Sequence, residues 1–599
     1  LNTVKFASPG AQFKAPHFVL SVKKQLTDLF GAKLVEEGGL RVTTTLDASL
    51  QEKAEEIVKD ELEKAKGLQV SNGAVVALNP TTGEILAYIG SKDYNLDESG
   101  FQGKFDVASM GYRQPGSALK PITYAAALSK GYTLSTVIAD VETHFPGGKD
   151  KEDYIPKNYD NKFRGPVQLR FALGNSINIP AVKLTALVGI RDVLKLASDM
   201  GITTLAPTNE NIQRIGLSLT LGGGEVRLLD ITASFGVFAT GGIRVEPYTI
   251  EKVTDSTGKV LFEHKKNQGK RVLSEDISFL ISHTLLDNAA RKEVFGERSY
   301  LVVPGKTVSV KTGTTDDKRD NWTIGYTPSI VTGVWVGNND NSPMNPKLAS
   351  GATGAAPIWN RIMREALKNT SDEQPKKPDT VVALTVDSLF GGLPHEGLPT
   401  RSEYYIKGTE PASFSPIYKK IKLSKSDNNK LANAVEIATG NFDEKEFWVL
   451  TENDPTSRDS KNRWMEGIDN WLSTQSESKY HPPKDTSNTN ENTVVVQITK
   501  PVDKVQVDTT NVQIQGNAKA ILDIKKIELI IDDVLKTSVN DNTLDETVVL
   551  PTGIHKIKLK AFDEKGNTGE KEITIGVNVP LESPSPIPPT PTISPSPAP

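Results

Sequence analysis

Strand-like segments stand at two distant places in this chain, with helix-like sequence between them, and that arrangement limits the folds open to it. AVVALNPTTGEILAYIG, residues 74–90, reads as two apolar strands around a Pro/Gly turn, a hairpin. Strand character returns at VSVKTG (308–313), NWTIGYTP (321–328) and IVTGVWVG (330–337). From about residue 105 to 300 helical patterns dominate, as in YAAALSKG and LLDITASFGVFATGG. A hairpin alone is marginal in water, so the separated strands are expected to join in one sheet with a helical layer packed on it.

The rest of the chain extends this core. APHFVLSVKKQLTDLF predicts a short helix, GGLRVTTTL a strand, and DASLQEKAEEIVKDELEKAK a helix opened by a Ser49/Glu52 capping box, with Leu50, Ala54, Ile57 and Leu62 inward. Residues 371–475 read as an extension of short strands and loops, and 476–493 as a flexible linker. Alternating runs over 494–577, broken by turn residues, predict a small β-sandwich. Residues 578–599 have the Pro/Ser composition of a disordered tail.

With 599 residues the chain needs several cores, and a net charge of −4 gives no field suited to nucleic acid. No stretch is apolar for the ~18–20 residues of a spanning helix. The first residue is leucine, so any targeting or anchoring segment is expected upstream. With no cysteines and seven scattered histidines, neither a metal nor another cofactor is expected.

Three short motifs carry the chemistry. In RQPGSALKPITY, Ser117 and Lys120 lie three apart, on one face of a helix opened by a Pro/Gly turn. A serine hydroxyl needs a neighbour to take its proton, and a lysine can do so when burial or nearby positive charge lowers its pKa. S-x-x-K recurs at Ser21–Lys24 and Ser476–Lys479, but only the Ser117 copy opens an apolar helix behind such a turn. GNSINIP places Ser176 and Asn178 on a polar loop between apolar helices, where a hydroxyl could relay a proton and an amide could hold a peptide. VSVKTGTTDD puts Lys311, Thr312, Gly313 and Thr314 on a strand, with the glycine allowing a ligand backbone close and the lysine and threonines offering a carboxylate pocket.

In the order S-x-x-K, S-x-N, K-T-G, spaced by 59 and 135 positions, these motifs resemble the penicillin-recognising serine acyltransferases. RQPGSALKP, GNSINIPAV, LSLTLGGGEVRLLDITASFGVFATGG, VKTGTTDDKRDNWTIGYTP and VTGVWVG are similar to the transpeptidase domain of class A, bifunctional penicillin-binding proteins, over about residues 36–370. Residues 1–35 would then be the tail of a glycosyltransferase domain that this chain does not contain. The resemblance implies an α/β fold: a five-stranded, mainly antiparallel sheet with flanking helices, a helical lobe and a cleft between them, followed by an immunoglobulin-like module. It implies Ser117 as nucleophile towards the D-Ala-D-Ala end of a peptidoglycan stem peptide, with a second stem's amine as acceptor. Lys120 is the favoured base, with Ser176 and Lys311 as the alternative relay. Asn178 would hold the donor peptide, and Lys311, Thr312 and Thr314 its carboxylate. The backbone N–H groups of Ser117 and Thr314 would form the oxyanion hole. β-Lactams would acylate Ser117, the location would be the extracytoplasmic face of the bacterial cell envelope, and the C-terminal module would meet a cell-wall ligand. The alternatives are a D-Ala carboxypeptidase, a β-lactamase, for which SIN stands in place of SDN, and an inactive penicillin-sensing or wall-binding module.

Overall fold

The structure, a computed structural model, describes residues 14–98, 101–147, 152–266, 268–488 and 492–581. Residues 1–13 and the predicted tail from residue 582 lie outside them. The chain divides into two compact units, Leu1–Pro416 with Leu450–Thr474, and Ile417–Val449 with Gln475–Pro599.

The first unit is built on a five-stranded antiparallel sheet in the order Ser309–Thr314, Asp320–Tyr326, Val331–Gly337, Asn72–Leu78, Ile85–Ile89. Val331 faces Leu78 and Gly337 faces Asn72, so the early hairpin and the late strands do join. The helical lobe and the flanking helices implied by the resemblance cover opposite faces of this sheet. Ala74, Val76, Tyr88, Trp322 and Trp335 pack into the core of the helical lobe, while Val75, Ala77, Val334 and Val336 pack against the helices Ala48–Lys64 and Ala355–Leu367. Strands covered on both faces read as near-continuous apolar runs, and every residue of Val331–Gly337 is buried.

The helix Ala48–Lys64 buries Leu50, Ala54, Ile57 and Leu62 as its spacing requires, but its cap is not Ser49. The Asp47 carboxylate accepts the Leu50 N–H at 3.0 Å, starting the helix before the predicted box.

Segment Leu450–Thr474 returns to the first unit as a strap ending in the helix Arg463–Ser473. Lys183, fully buried, donates to Glu452 Oε2 at 2.6 Å and to the Ala139 carbonyl at 2.9 Å. Trp464 packs edge-on against Phe145 at 5.9 Å, and Phe145 pairs through its backbone with Tyr154.

In the second unit, strands Val495–Lys500, Asn511–Lys519 and Thr543–Val549 form one sheet. Gln506–Val507, Thr568–Val577, Gly553–Asp563, Ile524–Ile531 and Val534–Val539 form another, and both contribute to one apolar core. The predicted linker is not free along its length. Tyr480 stacks edge-on against Trp448, the Asp485 carbonyl accepts the Leu431 N–H, and Ser487 Oγ accepts from Asn433 Nδ2. No helix among the described residues is long and apolar enough to cross a membrane.

Candidate active site

Pro115 caps a 3-10 turn, Gly116–Leu119, that runs straight into the helix Lys120–Ser129, so Ser117 stands where the backbone enters the helical lobe. Three glycines let this turn sit against the sheet. Gly116 has φ +56°, and a Cβ there would lie 2.5 Å from the Thr314 carbonyl oxygen. One on Gly222 would lie 2.1 Å from the Gly116 nitrogen, and one on Gly313 would lie 2.2 Å from the Pro115 oxygen. The expectation that Gly313 admits a ligand backbone is therefore corrected. The close neighbour is the turn that carries Ser117.

The three motifs converge. Lys120, fully buried, donates to the Ser176 carbonyl at 2.6 Å and to Asn178 Oδ1 at 2.7 Å, and lies 3.4 Å from Ser176 Oγ. Lys311 donates to the same Ser176 Oγ at 2.8 Å and to the Thr312 carbonyl at 2.9 Å. Ser176 thus bridges the two ammonium groups. It adopts φ 60°, a left-handed conformation unusual for a side chain with a Cβ. Burial, reinforced by Lys311, holds Lys120 well below the ordinary lysine range. Lys311 is brought down to about 7, first by burial and then by the Arg291 guanidinium. Ser117 Oγ is half-buried and has no hydrogen-bond partner among the described residues.

A cleft of about 510 Å³ opens on this group. Ser117, Ser176, Asn178, Thr312 and Thr314 line its floor, with Tyr154, Tyr159, Leu221 and Phe295 on its walls. Strand Ser309–Thr314 pairs only with Asp320–Tyr326 among the described strands and so presents a sheet edge. Thr314 Oγ1 accepts the Gly351 N–H at 2.8 Å, leaving its own O–H available to a ligand. The Ser21–Lys24 copy lies apart, on a helix where Lys24 pairs with Asp28 in solvent.

Several supporting residues carry no motif. Asn178 N–H donates to Asn158 Oδ1 at 2.8 Å, and Asn158 Nδ2 donates to the buried Asp140 at 2.7 Å. Burial raises the Asp140 carboxyl to about 6. Asn175 bridges the helix Asn288–Phe295, donating to the Ala290 carbonyl and accepting from the Val294 N–H. Arg170, just before it, makes a two-point ion pair with Glu403 and reaches Asp287, which caps that helix. Asparagines and a single buried arginine are too common in loops to be singled out from sequence. Only the fold brings them together.

An antiparallel sheet beside a helical lobe, with two serines, two lysines and an amide meeting at the seam, is the arrangement expected of the penicillin-recognising fold. Residues 73–364 match the penicillin binding protein transpeptidase domain. Penicillin-binding protein 2D of Bacillus subtilis (strain 168) is 32% identical over 412 residues, covering 67% of this chain and 56% of the relative. Penicillin-binding protein 1A of Aquifex aeolicus (strain VF5) is 36% identical over 347 residues, covering 57% of this chain and 44% of the relative. The crystal structure of penicillin-binding protein 1A from Haemophilus influenzae superposes with a TM-score of 0.60 at 24% identity, over 68% of this chain and 78% of that one. The chain carries the transpeptidase domain of a class A penicillin-binding protein, and it spans about half the length of the two sequence relatives.

Proposed function

We propose that this chain cross-links peptidoglycan by D,D-transpeptidation and is inactivated by β-lactams. The observation that carries the reading is Ser176 Oγ held between Lys120 and Lys311 beside Ser117. A neutral lysine has two N–H bonds and one lone pair. The Ser176 carbonyl and Asn178 Oδ1 take the two N–H bonds of Lys120, leaving its lone pair for the Ser117 proton.

Ser117 Oγ then attacks the carbonyl carbon of the penultimate D-Ala, with the Ser117 and Thr314 N–H groups holding the developing oxyanion. Losing one such donor costs about 10²–10³ in rate. The proton passes from Lys120 through Ser176 Oγ to the departing D-Ala nitrogen, and a Ser117 ester remains. Lys311 and the hydroxyls of Thr312 and Thr314 receive the substrate carboxylate, while Asn178 orients both Lys120 and the donor peptide. The free edge of Ser309–Thr314 offers backbone pairing to an extended peptide. An amine from a second stem resolves the ester. This chemistry belongs on the extracytoplasmic face of the bacterial cell envelope. We read the C-terminal all-β module as immunoglobulin-like, because two sheets of alternating strands share one core.

Labelled penicillin tests the reading. The full chain is expected to form a slowly lost ester on Ser117, Ser117→Ala none, and Lys120→Ala to acylate about 10²–10⁴ times more slowly. Rapid loss of label would indicate a β-lactamase, and an unlabelled wild type would sink the enzymatic reading. Products from a stem peptide with an added amine separate cross-linking from trimming.

A further inference from the structure

The turn after the Lys311 strand is built to hold one carboxylate at the mouth of the cleft. Thr315, buried, accepts the N–H groups of Arg319 and Asp320 on its hydroxyl, and its own N–H donates to the Asp320 carbonyl. The Lys318 N–H donates to the Thr315 carbonyl, and Lys318 takes φ 55°. Within this pinned turn Asp316 lines the cleft two residues beyond Thr314, and it is the only carboxylate among the described lining residues. No hydrogen bond or ion pair to its side chain occurs among the described residues. Lys318, on the same turn, lies over the face of Tyr159, 3.8 Å from the ring centre, and feels the Asp316 charge without pairing with it. Tyr154 and Ile155 supply apolar surface in the same cleft.

The other charged residues lining the cleft are the cations Lys157 and Lys318, with Lys311 beside Ser176 beneath it, while the Asp140 carboxylate is buried behind Asn158. Such a floor suits a donor that ends in a carboxylate, but it repels an amine that arrives as an ammonium. A cationic second substrate needs a compensating anion near the ester and outside the carboxylate pocket. Asp316 stands in that place.

We propose that Asp316 is the specificity residue for the acceptor, docking an amine that is protonated at neutral pH. This rests on the acyl-enzyme reading above. The docked ammonium releases one proton to bulk water, and its neutral nitrogen attacks the acyl carbon and forms the C–N bond. The C–Oγ bond to Ser117 breaks, and the second proton leaving nitrogen restores the Ser117 hydroxyl. Asp316 acts on capture of the amine, so its removal raises the KM for a cationic acceptor rather than lowering turnover at saturation.

The test lets two acceptors compete for one acyl-enzyme on the full chain at pH 7. A D-alanyl thioester serves as donor, with Nα-acetyl-lysine amide as the cationic acceptor and hydroxylamine as the uncharged one. In Asp316→Asn the ratio of lysine product to hydroxamate is expected to fall about tenfold, with Asp316→Glu recovering most of it and 0.5 M salt compressing the wild-type preference. Because hydroxamate reports the acyl-enzyme in the same tube, a misfolded variant cannot imitate the effect. A ratio within twofold of wild type in Asp316→Asn overturns the proposal, as does a wild-type ester that neither amine resolves. A wild type that forms no ester from the thioester overturns the acyl-enzyme reading itself.

Discussion

Lys311 links one residue's surroundings to a measurable pH profile. Burial and the Arg291 guanidinium together bring it to about 7, so over the neutral range it passes from ammonium to amine. Arg291 is itself buried, with its guanidinium on the Leu285 and Leu301 carbonyls rather than on a carboxylate. Because the ammonium form is the one that receives the penicillin carboxylate, acylation by labelled penicillin is expected to fall as pH rises through a midpoint near 7. Arg291→Met removes a positive neighbour and moves that midpoint upward, while Arg291→Lys leaves it in place. An unmoved midpoint in a folded Arg291→Met chain would rule Arg291 out as the cause. Stability follows the same titration. Between about 7 and 10.5 the unfolded chain holds a proton that folded Lys311 has released, so stability rises with pH across that window. Ser176 gives a second test at this scale. At φ 60° a non-glycine residue carries about 1–3 kcal/mol of strain, so Ser176→Gly should be more stable than Ser176→Ala by roughly 1 kcal/mol in urea melts. Both variants should acylate poorly, since both lack the bridging hydroxyl. Equal melts would mean that no strain is stored there. The identities of Ser176 and Lys311 were legible from short motifs. Their bridge was not, because a left-handed φ has no sequence signal when the residue is not glycine.

At the level of elements, the cleft wall rests on the returning strap. Trp464 packs on Phe145, Phe145 is bridged through its backbone to Tyr154, and Tyr154 lines the cleft. Lys183 lies in the helix that Asn178 begins, and its ammonium sits 5.1 Å over the Trp464 ring. Truncating a buried aromatic costs about 3–5 kcal/mol, so Trp464→Ala should lower the thermal midpoint and slow penicillin acylation although it lies outside the three motifs. Unchanged acylation in a destabilised Trp464→Ala chain would show that the strap only stabilises. Local pattern served well where an element declares itself: the apolar runs of the sheet, the helix after Pro121 and the alternating strands near the C-terminus. It failed where partners are distant. Residues 450–474 read as irregular extension because what fixes them is Lys183, Phe145 and Gly165, against which Trp471 packs, and none of these lies nearby in sequence. The Gly313 correction has the same origin, since a glycine announces close approach without saying of what.

At the scale of the whole chain, the two units interleave in sequence, the first closing only with Leu450–Thr474. A boundary drawn by composition near residue 370 therefore cuts away part of what supports the catalytic lobe. Domain stabilities are about 5–15 kcal/mol. Stranding a buried Lys183 without Glu452 costs about 3–5 kcal/mol, and losing Trp464 from its packing costs a similar amount. The sum approaches the whole of a domain's stability, whereas the apolar core formed by the strands from Val495 to Val577 belongs to the second unit. A chain ending at Thr474 should thus label with penicillin within about twofold of the full chain, and one ending at Pro416 should lose most of its labelling and its cooperative melt. If the shorter chain melts and labels like the longer one, the lobe stands without its strap, and the support drawn here from Trp464 to Tyr154 is not needed for acylation.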